Sequence, residues 1–95
     1  MSEDKLHRAT VRGAHAAELL RSELVQEAFA QLEADYIAAW RVTPARDTDA
    51  RERLYVAVNV IGKVKEHLGH VAAGGRLAQA EIDSLVRAQE QREKK

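Results

Sequence analysis

His67 and His70 stand three residues apart with Glu66 beside them, side chains of a type that can do chemistry at a helical spacing. Two imidazoles one turn apart can face the same way, and zinc takes such ligands. Zinc also needs a third and a fourth ligand. The sequence names neither: it has no cysteine and no His-Glu-x-x-His pattern. Solvated histidines, or histidines beside a helix end, are the expected reading, with no metal and no cofactor.

Nucleophilic and acid–base candidates are no better gathered. Ser2, Ser22, Ser84 and the three threonines lack a glycine elbow. Thr43 and Thr48 read as turn residues, and Ser22 and Ser84 lie in helices among charged neighbours. Glu23 and Glu27 are one turn apart, but such a pair on a helix more often solvates a face than moves protons. Gly74-Gly75 carries neither a dinucleotide fingerprint nor a phosphate-cradling loop. Two glycines after a long apolar-periodic run read instead as a helix stop with a left-handed cap. No catalytic residue is assigned, and the chain is not expected to be an enzyme.

Lys5, Arg8 and Arg12, with His7 nearby, make a small basic cluster near the start, and Arg87, Arg92, Lys94 and Lys95 make another, interrupted by Glu90 and Glu93. Nucleic acid is the partner such clusters suggest. The whole chain, however, balances 15 basic against 15 acidic residues, so no global field draws it to DNA or to an anionic membrane. No short helix–turn–recognition-helix spacing is visible either. A solvated surface is the favoured reading, and a DNA contact through Lys5, Arg8 and Arg12 the lesser one.

These side chains must be held by helices. Alanine, leucine, glutamate and arginine dominate, and they are strong helix formers. The first helical stretch is expected from about Ser2 to Arg41. Val25, Phe29, Leu32, Tyr36 and Trp40 recur there at steps of three or four, and Leu20, Leu24 and Ala28 widen the stripe. Gly13 interrupts its first half, where Leu6, Ala9, Ala16 and Ala17 give only a thin stripe, so a bend or a frayed start is expected there. Pro44 disfavours helix at Thr43. Asp47, Thr48 and Asp49 are all N-cap residues by type, and Asp49 with Glu52 reads as a variant capping box. A second helix is expected from Ala50 to Ala73, with Leu54, Val58, Ile61, Val64 (or Lys65), Leu68 and Val71 as its core stripe. A third, shorter one is expected from Leu77 to Ala88 with Ala78, Ile82, Leu85 and Val86 on one face. The fold class is therefore all-α, a long helical hairpin with a short third helix, forming a single domain over residues 1–95 in which 1–15 and 89–95 are the segments expected to fray.

Length then bears on function. A helix rises about 1.5 Å per residue, so the first would be roughly 60 Å long and the second roughly 36 Å. The second, folded back, covers the first only to about residue 16. Either the first helix breaks at Gly13 or another chain covers the overhang. Val56, Ala57 and Val60 lie partly off the core stripe and also want burial. Small scaffolds of this kind often compensate by oligomerising. Leu20, Leu24, Phe29, Val56, Val60 and Ile61 are the expected interface. Trp40 and Tyr55, flanking the turn with Tyr36, either pack across the hairpin mouth or serve as an exposed aromatic anchor for a partner.

The string Leu32-Glu33-x-x-Tyr36-Ile37-x-x-Trp40-Arg41, then Thr43, Asp47-Thr48, Arg51-Glu52-x-Leu54, Lys63-Val64-x-x-x-Leu68 and Gly75, resembles a group of short helical proteins of bacteriophages and prophage-like elements. The resemblance covers about residues 17 to 86. Within phage biology a small helical oligomer looks like the core of a small terminase subunit, which forms rings and hands DNA to the packaging motor. The resemblance therefore implies DNA packaging or virion assembly. Many small terminases also carry an N-terminal helix-turn-helix domain, for which this chain leaves no room, and no functional residue carries over. The alternative expectation is a regulator or inhibitor docking on a host or phage protein. No apolar run is long enough to span a bilayer. Met1-Ser2-Glu3-Asp4 does not begin a signal peptide, so no membrane contact is expected and the host cytoplasm is the expected location.

Overall fold

A computed structural model describes residues 2–94; Met1 and Lys95, the outer limits of the expected domain and of its fraying segments, lie outside the described residues. The protein is all-α: α1 spans Glu3–Arg21, α2 Glu23–Val42 and α3 Thr48–Glu93, with no strand among the described residues. The chain divides into two compact units. One holds Leu20–His67, and the other joins residues 2–19 to residues 68–94.

The helix expected from Ser2 to Arg41 is two helices. Ser22 leaves helical geometry at φ −65°, ψ 122°, and its hydroxyl accepts a hydrogen bond from the Val25 amide at 3.3 Å. This is an N-cap, satisfying one of the amides that a new helix leaves open. The Gln26 side chain donates back to the Leu20 carbonyl at 2.9 Å, closing the end of α1. Apolar spacing continues on both sides of Ser22, which hides the break from periodicity alone.

Gly13 does not interrupt α1, which runs unbroken over Glu3–Arg21, and Gly74-Gly75 does not stop α3. No glycine among the described residues has a positive φ, and α3 continues to Glu93 as one element. The expected left-handed cap and separate helix from Leu77 are therefore absent. The physical reason lies in the unit that joins α1 to the second part of α3. A Cβ placed on Gly13 would meet the Gly75 Cα at 2.5 Å, and one placed on Gly75 would meet the Gly13 Cα at 2.6 Å and the Ala9 carbonyl oxygen at 3.0 Å. Gly75 is needed for close approach of two backbones rather than for a turn. Around the crossing, Leu6, Ala16, Ala72 and Ala78 are buried. Small residues let the helices come together, and Leu6, fully enclosed, supplies the largest apolar contact. The residues before Gly13 thus find cover on α3 itself, and helix length no longer demands a second chain.

In the Leu20–His67 unit, α2 and the opening of α3 run antiparallel. Arg51 meets Trp40 beside the turn, while Lys65, further along α3, reaches back to Glu33. Asp47 is the N-cap of α3: its carboxylate accepts from the Ala50 amide at 3.2 Å, and its own amide donates to the Pro44 carbonyl at 3.0 Å. The Asp49–Glu52 capping box does not form, because helix geometry already begins at Thr48. Ile61 is the only buried large apolar side chain of this unit, and α2 has no buried residue. Val25, Phe29, Tyr36, Leu54 and Val58 are half-buried. Two helices side by side make a layer too thin to enclose them fully.

Candidate functional site

Contacts within the Leu20–His67 unit define its two sides. Lys65 Nζ pairs with Glu33 Oε1 at 3.2 Å, and the Arg51 guanidinium lies 4.2 Å from the Trp40 ring centroid. Ile37, Trp40, Leu54, Tyr55 and Val58 line a cleft between the same two helices. Positions 33, 37 and 40 of α2 and 51, 55 and 65 of α3 therefore share one side. The helical period places Leu24, Leu32 and Val42 of α2 with Val56, Val60 and Val64 of α3 on the other.

That second side is open, and its apolar residues are interspersed with exposed charged ones such as Asp35, Asp49 and Arg53. Val42 is 81% exposed, Leu24 75%, Val56 and Val60 51% each, and Leu32 and Val64 44% each. Single exposed apolar residues need no explanation; here six of them, drawn from two helices, share a side by the helical period. Leu32, Val42 and Val64 were not among the expected interface residues. Leu32 and Val64 fit the core stripes by spacing, yet the two-helix layer leaves each 44% exposed.

The expected interface residues do not form one patch. Leu24, Val56 and Val60 lie on the open side. Leu20 and Phe29 are half-buried on the cleft side, where they line a depression with Val25, Gln26, Ala30, Glu33 and Lys65. Ile61 is buried, at 8% exposure, and is core. It continues the Leu54–Val58 stripe that faces α2, so it is not available to a partner.

Trp40 and Tyr55, 42% and 67% exposed, flank the cleft rather than closing it. The cleft encloses about 170 Å³. A cavity of about 150 Å³ holds a benzene ring, whereas small-molecule sites run to about 300–1,000 Å³. The cleft is therefore on the scale of one apolar side chain. Arg51 stands beside Trp40: Nη1 donates to the Thr43 carbonyl at 3.0 Å and to the Trp40 carbonyl at 3.4 Å. It thereby holds the last carbonyls of α2 while stacking on the indole.

Lys5, Arg8 and Arg12 are exposed and share one flank of α1 by their spacing, with Arg8 Nε donating to the Asp4 carbonyl at 3.4 Å. His67 and His70 are exposed on α3. Among the described residues no three His, Cys, Asp or Glu side chains gather as a metal ligand set, and no helix is long and apolar enough to cross a membrane. No family model, curated protein or solved structure matches the chain.

Proposed function

We propose that this chain is a non-enzymatic, self-associating protein-interaction module, with the helical hairpin of α2 and the opening of α3 as its adhesive part. The observation that carries the reading is the open side that bears Leu24, Leu32, Val42, Val56, Val60 and Val64. Exposed valine and leucine on both helices of a thin layer gain free energy by burial, about 25 cal/mol per Å² of apolar surface removed from water. The resemblance to short phage and prophage helical proteins gives this module a setting: DNA packaging or virion assembly, as for the core of a small terminase subunit. Size-exclusion chromatography with light scattering tests the adhesive reading; a monomer at every concentration removes it. Genes for a terminase large subunit, portal or capsid protein beside this one support the phage setting, and an unrelated neighbourhood counts against it.

A second reading rests on the cleft between Ile37, Trp40, Leu54, Tyr55 and Val58. A regulator or inhibitor that docks on a host or phage protein would take one of its partner's apolar side chains there. Trp40→Ala would then abolish capture of that partner while leaving the helix content intact; unchanged capture counts against it. DNA binding through Lys5, Arg8 and Arg12 is the least supported alternative, and no retention on DNA at low salt removes it.

A further inference from the structure

The stripe along the outer side of α3 has a symmetry of its own. Asp49, Val56, Val60 and His67 are spaced seven, four and seven residues apart, and at 100° per residue they lie within about 20° of one line. The order is a palindrome about the point between Val56 and Val60, with an acid at one end and an imidazole at the other. Glu52 and Lys63 are eleven residues apart. Eleven residues are nearly three whole turns, so both stand on the same edge of the stripe. All six residues belong to the Leu20–His67 unit and are exposed. Neither Glu52 nor Lys63 makes an ion pair or side-chain hydrogen bond among the described residues.

We propose that the occupant of this stripe is a second copy of the same chain, laid antiparallel along α3 with the two-fold axis between Val56 and Val60. The inference rests on the self-association reading above and gives it a partner and a register. In a two-fold contact the same surface appears on both sides, so each residue meets its mirror position. Val56 meets Val60 of the other copy, and Val60 its Val56. Asp49 meets the other copy's His67, whose ring N–H is a donor to carboxylate. Glu52 falls within one residue of the other copy's Lys63, and the pair occurs twice. Edges of this kind set partner choice and orientation in helix pairs. A parallel alignment would instead place Glu52 against Glu52 and Lys63 against Lys63.

Charge exchange tests the register. Sedimentation of the full chain is compared with E52K, K63E and the double variant E52K/K63E, with circular dichroism to verify folding. Each single change should weaken the dimer roughly tenfold, because it sets like charges opposite one another twice. The double change should restore it to within about threefold, because both pairs are re-formed with signs exchanged. The chain has no cysteine, so V56C and V60C give a second readout: mixed, they should form a disulfide to each other in preference to themselves. A dimer indifferent to all charge changes, or one in which V56C cross-links to itself as readily, overturns this register and leaves self-association standing. A strict monomer overturns both and assigns the stripe to a different protein.

Discussion

Gly13 and Gly75 face each other so closely that neither can carry a side chain: a Cβ on Gly13 would lie 2.5 Å from the Gly75 Cα. The neighbour is backbone, so it cannot swing aside. Gly13→Ala should destabilise the protein by about 1–3 kcal/mol, the usual cost of overpacking, although alanine is the better helix former by about 1 kcal/mol. Gly62 and Gly74 have open space at the same test and helical backbone. Gly62→Ala and Gly74→Ala should each stabilise by up to about 1 kcal/mol. Urea unfolding of the three variants checks this, and the opposite responses of Gly13 and Gly74 are the sharpest part of it.

Arg51 ties the turn to α2 through the Trp40 ring and two carbonyls. Arg51→Ala should cost about 1 kcal/mol, since cation–π stacking at a partly exposed site is worth about 0.5–1 kcal/mol. Arg51→Lys should recover little, because lysine lacks the planar fork. Trp40 is the sole tryptophan, so intrinsic fluorescence reads this place alone. Emission should shift red in both variants and stay unchanged in Lys65→Ala, whose surface pair with Glu33 is solvated and weak.

The Thr10 hydroxyl oxygen is buried without a hydrogen-bond partner among the described residues. A buried polar atom left unmatched costs about 1–3 kcal/mol, and an apolar group of the same shape removes the penalty. Thr10→Val should therefore leave the melting temperature unchanged or raise it. A clear fall would mean that the hydroxyl is engaged after all.

Helix class and the main stripes were legible in the sequence because apolar residues at steps of three and four leave few alternatives. Leu54, Val58 and Ile61 do face α2 as their spacing requires. The two glycine positions were misread because glycine has two uses. It permits left-handed backbone, and it permits close approach. Only the partner helix decides between them, and no local pattern reveals that Gly75 meets Gly13. Ser22 was missed for a related reason: serine is tolerated within helices, and its capping role appears only in the Val25 amide bond. The exposed apolar positions were half legible. Val56 and Val60 stood off the core stripe by spacing, whereas Leu32 and Val64 match core positions and are exposed by the thinness of the layer. Ile61 stood both in the core stripe and among the interface residues, and its burial places it in the core.

Self-association is a claim about mass. Sedimentation equilibrium of the unmodified chain, from low to high micromolar concentration, should give a weight-average mass that climbs from one chain towards two or more, and Val60→Glu should hold it at one chain with helix content unchanged. A mass fixed at one chain across the whole range would contradict the account.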